Sequence, residues 1–389
     1  MKQLNDHQLF VVALLGLLAA LATVVNNMFS PAMPVLSQVL GCEISEVQLC
    51  LTASMGGLAL GQVVVGPLSD YFGRRRPLLW SMVLFLVSTL CIMLIPGMGL
   101  KWMIFLRLLQ GLGAGGGVVI SRSIATDMSS GNRLLKMLAL INVINGIMPI
   151  VTPLLGGYLT TQFGYEGTFG GMLVVGVVLA VGCLYLGETL SVAQRSHSSI
   201  KSTMALFGRV LSNREFLYTI LHQGGALAVL FGNIAATPFI VQHYGYGPER
   251  IGLLLGMNGI FTALGAGFAP ALGDAIKGIR ITAAGLVPLS LILCVLLWMD
   301  MGLWPYEVLV CLMLVFVGVT LTSSSSHAME CARNEAGTAS ALLGAVGFIV
   351  GGVVAPLMGL GNLLHSTAVC YVCAALVAAL CLVGIRRKQ

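Results

Sequence analysis

Hydrophobic residues run along this chain in long blocks separated by short polar breaks. A helix needs about 20 mostly apolar residues to cross a bilayer, and the blocks are that long. They predict twelve helices, at roughly 9–38, 46–69, 77–96, 102–125, 134–160, 167–187, 214–240, 250–272, 280–300, 305–327, 337–360 and 366–385. Spread over twelve spans, 389 residues leave short loops and no sizeable soluble domain. The longest polar stretch, from Glu188 to Asn213, divides the spans six and six. The expected organisation is an N-terminal bundle (1–190), a linker (191–213) and a C-terminal bundle (214–389), all α-helical.

Composition supports lipid as the solvent. The chain is 57% hydrophobic, 9% charged and has a mean hydropathy of +0.96, where a soluble domain carries roughly 25% charge. The net charge of +6 could suggest nucleic acid or anionic lipid, but its placement decides otherwise. Basic residues gather in alternate breaks: Arg74–Arg76, Arg133 with Lys136, Arg195 to Arg214, Lys277 with Arg280, Arg333, and Arg386–Lys388. The intervening breaks hold only Lys101 and Arg250. By the positive-inside rule both termini are cytoplasmic. The expected setting is a membrane crossed many times, with no nucleic-acid partner. Ala20-Leu21-Ala22 has the form of a cleavage site, but the apolar helix continues past it, so no cleavage is expected. Cys370 and Cys373 have a redox-like spacing without a second ligand pair. These and the other cysteines read as small membrane-buried thiols, and neither a metal nor a cofactor is expected.

Three local patterns carry mechanism. Gly66-Pro67-Leu68-Ser69-Asp70-Tyr71-Phe72-Gly73-Arg74-Arg75-Arg76-Pro77 places glycines, an acid and a basic cluster on one short turn, where charges can pair across helices. In the fourth span, Arg107-Leu108-Leu109-Gln110-Gly111 sets an arginine roughly 9 Å in from Lys101. A charge that deep faces a bundle interior or a wet cavity. The fifth span holds Asn142, Asn145, Gly146, Pro149, Pro153, Gly156 and Gly157, which thin and weaken a helix so that a neighbour can approach and pivot. Weak echoes link the halves: Pro153 to Gly157 matches Pro356 to Gly359, and Gly66…Asp70…Gly73-Arg74 matches Gly273-Asp274…Gly278…Arg280. A repeat of this kind suggests a site between the halves, reached from alternate sides.

The loop after the second span resembles the major facilitator signature G-x-L-a-D-r-x-G-r-r-r, and the fourth span resembles that family's R-x-x-q-G-x-g. The fifth is similar to the Gly/Pro-rich antiporter motif of its exporters. Asn27-Met28-Phe29-Ser30-Pro31-Ala32-Met33-Pro34 is similar to the D-M-Y-L-P-A-L-P segment of the Bcr/CflA drug-efflux (drug:proton antiporter) family. Gly337-Thr338-Ala339-Ser340-Ala341-Leu342-Leu343-Gly344 and Glu188-Thr189-Leu190 match further segments of it. The resemblance implies a twelve-helix transporter of two pseudo-symmetric bundles, acting as a monomer in a bacterial inner (cytoplasmic) membrane, that exports drugs or metabolites by alternating access in exchange for protons. It also implies a latch in which Asp70 faces the start of the eleventh helix near Gly337 and Arg74 pairs with Asp127.

One departure bears on energetics. The family's first-helix acid is Asn27 here, and an amide carries no proton. Candidate carriers are His222, which can titrate near neutrality, and Glu307. An exporter or facilitator of an endogenous metabolite or siderophore, without first-helix proton coupling, therefore stands as the alternative. Asn26, Asn27, Gln110, Asn142, Asn145, Asn233 and Asn258 are expected to offer hydrogen bonds to substrate. Phe29, Met257 and Phe261 are expected as apolar walls. With Arg107 in the cavity and no carboxylate, neutral or anionic amphiphiles are favoured over lipophilic cations. A membrane enzyme or ATP-driven pump is not expected, because no H-E-x-x-H, G-x-S-x-G or Walker A pattern occurs.

Overall fold

A computed structural model describes residues 6–94, 99–129, 131–191, 195, 206, 208–332 and 336–385. The expected linker lies largely outside these residues. In lipid every backbone N–H and C=O must bond internally, which helices achieve within themselves, and the described chain is helical with no strand. The first span, α1, is broken: Asp6–Ala19, Leu21–Asn27, a 3-10 turn at Ser30–Ala32 and Met33–Leu40. Its two main parts meet at 42°, and Pro31 and Pro34 remove backbone donors within the second part. Next come α2 (Ile44–Phe72), α3 (Arg75–Leu94) and α4 (Leu100–Met128).

The expected loop at 161–166 is the main departure. Helix runs from Gly131 to Tyr185, 55 residues or about 82 Å, far beyond a hydrocarbon core of about 30 Å. The break is Gly164, at φ 69° and ψ −168°. A left-handed φ of this kind favours glycine, and one such residue turns the chain without a loop. It divides the segment into α5 (131–163) and α6 (165–185). The second half supplies α7 (Arg214–His243), α8 (Pro248–Phe268, continued by a 3-10 turn Ala269–Leu272), α9 (Ala275–Trp298), α10 (Leu303–Cys331), α11 (Ala336–Met358) and α12 (Leu363–Leu380, continued by Cys381–Gly384). Counting the broken α1 as one span and the helix split at Gly164 as two gives the twelve.

The six helices of each half enclose their own core. One is built mainly on Leu15, Leu18, Phe29, Leu51, Phe85 and Phe169, the other on Val229, Leu286, Leu293, Tyr306, Leu314 and Tyr371. The outer surface is apolar: Val83, Val87, Val178, Leu291, Val295 and Val377 are exposed. All four tryptophans, Trp80, Trp102, Trp298 and Trp304, are exposed and lie toward helix ends, the level of an aromatic belt.

With an even number of spans in each half, both termini lie on one face, here called the terminal face. Among the described residues, the hydrogen bonds joining the halves lie toward the opposite face. Gln48 Nε2 donates to the Ala235 carbonyl (3.0 Å), Thr52 Oγ1 to the Gly352 carbonyl (2.7 Å) and Ser30 Oγ to the Ile234 carbonyl (2.5 Å). The Gly/Pro segment of α5 belongs to this seam. A Cβ on Gly157 would sit 3.1 Å from the Gly252 Cα of α8, and one on Gly252 would sit 3.2 Å from the Pro153 carbonyl carbon. Nearer the terminal face Gly146 has open space beside it. Inside the first half, α2 and α4 touch backbone to backbone, since a Cβ on Gly115 would lie 2.5 Å from the Leu58 oxygen and 3.1 Å from the Gly61 Cα.

Two glycine substitutions separate these environments. Gly115→Ala is expected to cost about 1–3 kcal/mol by forcing α2 and α4 apart, whereas Gly146→Ala leaves folding unchanged. Thermal unfolding in detergent checks this, and equal melting temperatures for the two variants would contradict the packing described.

Candidate functional site

A cavity of about 320 Å³ lies where the halves meet, between α1, α5, α7, α8, α10 and α11. Its residues form helical stripes. Ala22, Thr23, Asn26 and Asn27 face it from α1, Gly146 and Pro149 from α5, and Leu230, Phe231, Asn233 and Ile234 from α7. Asn258, Gly259, Thr262, Ala263 and Ala266 form a small and polar stripe on α8, with Leu314 and Leu321 from α10 and Phe348 from α11. The Phe231 and Phe348 rings stand 6.0 Å apart. No charged side chain is among the described lining residues. Of the predicted site residues, Asn26, Asn27, Asn233, Asn258, Gly146 and Pro149 come together here.

Arg107 does not line the cavity, which corrects the expectation of an exposed cation within it. It is fully buried inside the first half. Its Nη1 donates to Gln110 Oε1 (2.5 Å), and its Nη2 to the Val25 carbonyl (3.1 Å) and to Ser54 Oγ (3.1 Å). The guanidinium lies 4.2 Å from the Phe29 ring centroid and 5.8 Å from that of Phe169, a cation–π arrangement. Phe29 and Gln110 are thus the arginine's setting rather than cavity wall. Ser54 Oγ donates in turn to Asn26 Oδ1 (2.7 Å), so the charge stands two hydrogen bonds behind a cavity asparagine. Gln110 Nε2 extends the network to Thr89 Oγ1 (2.8 Å).

The second half carries a related arrangement. Asn233 Oδ1 accepts from Thr237 Oγ1 (2.6 Å) and from Asn258 Nδ2 (3.3 Å), and Thr237 Oγ1 pairs with the Tyr306 hydroxyl (2.8 Å). Cys311 Sγ lies 3.2 Å from Asn258 Oδ1. Glu307, only 1% exposed, approaches Asn258, but neither carboxylate oxygen completes a well-formed hydrogen bond. Asn258 therefore stands between the cavity and a buried acid, and Asn26, through Ser54, links the cavity to a buried base.

Other predicted residues fall elsewhere. Asn142 is exposed and Asn145 half-buried on α5, nearer the terminal face than the cavity. Met257 and Phe261 pack against the second core. His222 is buried with Nδ1 2.8 Å from the Ala378 carbonyl of α12, which makes it a tie between helices, away from the cavity. Phe231, Phe348 and Thr262 were not foreseen. The α8 stripe was visible as an i, i+4, i+8 series from Asn258 through Thr262 to Ala266, but the two phenylalanines differ in no local respect from lipid-facing ones.

At the terminal face Arg74 pairs with Asp127, as expected: Nε to Oδ2 is 2.8 Å. It also bonds Ser69 Oγ (2.8 Å) and Asp70. Burial works against the Arg74 charge, yet Asp127 and Asp70 more than offset it, so its pKa stands above the ordinary value. Asp70 is 46% exposed and, among the described residues, makes no hydrogen bond or ion pair to the helix that begins near Gly337. Glu188 is an unforeseen member. Its carboxylate accepts from the backbone N–H of Arg74 (2.8 Å) and Arg75 (3.3 Å), where a helix N-terminus favours an anion. Gly73, at φ 89°, lets that carboxylate in. The echo in the second half has a local role: Asp274 caps α9 by accepting from the Ile276 N–H (3.0 Å).

Comparison with known proteins agrees with this architecture. The chain is 34% identical over 365 residues to the uncharacterized MFS-type transporter YdgK of Bacillus subtilis, covering 92% of this chain and 90% of that one. It is 27% identical over 368 residues to a bicyclomycin resistance protein homolog of Haemophilus influenzae, with 92% and 90% covered. Among solved structures, the xylose transporter XylE from E. coli superposes with a TM-score of 0.76 at 13% identity, over 96% of each chain. Residues 15–356 match the model of the Major Facilitator Superfamily, and the chain is a multi-pass transporter belonging to that family.

Proposed function

We propose that this transporter exports small neutral amphiphiles by alternating access, driven by protons entering in exchange. The observation that carries this reading is the cavity between the halves: apolar and aromatic walls, four asparagines, and no charged lining residue among those described. Apolar walls with a few placed hydrogen-bonding groups suit amphiphilic ligands. Arg107, two hydrogen bonds behind Asn26 in a low-dielectric bundle, opposes a cationic guest without meeting an anionic one directly. The antibiotic-resistance name of the Haemophilus relative is consistent with export. The basic clusters support a cytoplasmic terminal face, and with the opposite seam bonded the cavity would load from inside. The halves then rock and release substrate outside, the protein working as a monomer in a bacterial inner membrane.

Glu307 would hold the proton. An ionised carboxylate without a counter-ion is far costlier to bury than a neutral carboxyl, so the buried side chain of this conformation is the protonated form. Rearrangement of Asn258 when the cavity fills or empties would wet the group and let the proton leave. Uncoupled export of an endogenous metabolite is favoured by one observation, the amide at Asn27.

Reconstituted transport separates the two. Wild type is expected to accumulate a neutral amphiphile against its gradient when a pH gradient is imposed. Glu307→Gln should lose that accumulation while still exchanging substrate down its own gradient. Gradient-driven accumulation that survives in Glu307→Gln would rule out the proposed carrier. Asn27→Asp is expected to admit ethidium-like cations that wild type excludes, and export of such cations by wild type would sink the charge argument.

Arg107→Gln removes a buried charge while keeping a hydrogen-bonding side chain. Its melting temperature should hold or rise, while transport falls by roughly tenfold as Ser54 and Asn26 lose their support. Wild-type transport in that variant would make Arg107 a packing residue only.

A further inference from the structure

A cluster outside the cavity fits a ligand of its own. At the terminal-face ends of α7 and α10, His327 Nε2 lies 3.2 Å from Glu215 Oε1 and 3.7 Å from Cys331 Sγ. The three donor atoms lie within 4.8 Å of one another. We propose that Glu215, His327 and Cys331 bind a divalent transition-metal ion of the zinc class, which ties α7 to α10 at the terminal face.

The donor geometry supports this first. Zinc bonds of about 2.0–2.3 Å at tetrahedral angles set neighbouring oxygen, nitrogen and sulfur donors about 3.3–3.6 Å apart. The two His327 separations bracket that range and the Glu215–Cys331 pair lies within 4.8 Å, so a side-chain adjustment of about 1 Å closes the site. The donor set supports it second. One thiolate, one imidazole and one carboxylate suit a borderline-soft ion and are poor ligands for magnesium or calcium, which prefer oxygen. A fourth position remains for water.

The frame is already built. His327 and Cys331 are one turn apart on α10 and so share a face. Asn213 caps α7 by accepting from the Glu215 N–H (3.1 Å) and Phe216 N–H (3.3 Å), while its Nδ2 donates to the Cys331 carbonyl (3.1 Å). That side chain fixes Glu215 beside Cys331 before any ion arrives. The His327 side chain is 3% exposed and Glu215 34%, so the site is mostly dry with one side reachable from the aqueous face. Since α7 and α10 also carry Asn233 and Glu307, an ion here braces the helices that hold the cavity wall and the buried acid. The sequence hid this cluster because Glu215 lies more than a hundred residues from its partners.

The test uses tag-free, metal-stripped full-length protein in detergent, titrated with Co2+. One ion per chain should produce cobalt–thiolate charge-transfer absorption, displaced by Zn2+. Cys331→Ser should abolish the band and Cys373→Ser should keep it. His327→Gln and Glu215→Gln should each weaken Co2+ binding by about tenfold or more. In wild-type protein Zn2+ should protect Cys331 from alkylation, a readout that needs no variant to fold. Absence of the band, a band that persists in Cys331→Ser, binding unaffected by both other substitutions, or unchanged alkylation of Cys331 would each overturn the proposal.

Discussion

Burying an ionisable side chain without a counter-ion is the constraint around which both halves are built. Removing a full charge from water costs several kcal/mol even after the protein relaxes. Arg107 offsets this with Gln110, Ser54, the Val25 carbonyl and the Phe29 ring. Glu307 has less support, approaching only Asn258. Arg107 is seven residues into α4 and Glu307 four residues into α10, the corresponding helices of the two bundles. Each stands behind an asparagine that faces the cavity, Asn26 in one half and Asn258 in the other. The two halves thus present neutral amides to the cavity and keep a buried base and a buried acid behind them. In the proposed cycle the base is a fixed element that orients the wall, and the acid is the element that changes.

In the proposed cycle, close backbone approach lets the halves move as bodies. Gly61 with Gly115 locks α2 to α4 inside one bundle, while Gly157 with Gly252 lets α5 and α8 touch across the divide. The first contact is within a half and has no reason to open. The second lies in the seam, beside hydrogen bonds to single backbone carbonyls at Ala235, Gly352 and Ile234. Bonds of that kind add about 0.5–1.5 kcal/mol each, a scale that thermal rocking can exchange. At the other face Asp70 pairs with Arg74 and is partly open to solvent.

The architecture was legible because lipid enforces it. Block length, loop charge and the Gly66–Pro77 turn suffice for twelve helices in two bundles. The break at Gly164 was not legible, since a one-residue turn leaves no polar stretch to read. The site was half legible. Asn26, Asn27, Asn233 and Asn258 stand out as amides in apolar helices and do face the cavity. Arg107 stands out more strongly and does not, because depth in a helix is visible in sequence but rotation about its axis is not. Phe231 and Phe348 are ordinary apolar letters until the fold pairs them. Glu188 was visible only as a motif match, and its capping of α3 depends on a chain reversal spanning more than a hundred residues.

The most direct measurement locks the seam. Thr52 Oγ1 bonds the Gly352 carbonyl at 2.7 Å, and a Cβ on Gly352 would lie 3.7 Å from Thr52 Cγ2, so side chains at these two positions meet across the seam. In a background cleared of other reactive cysteines, Thr52→Cys with Gly352→Cys should cross-link under oxidation. Alternating access predicts that the oxidised protein still binds substrate from the terminal face, loses transport, and recovers it on reduction. Undiminished transport by the fully cross-linked protein would contradict a cycle in which this seam must open.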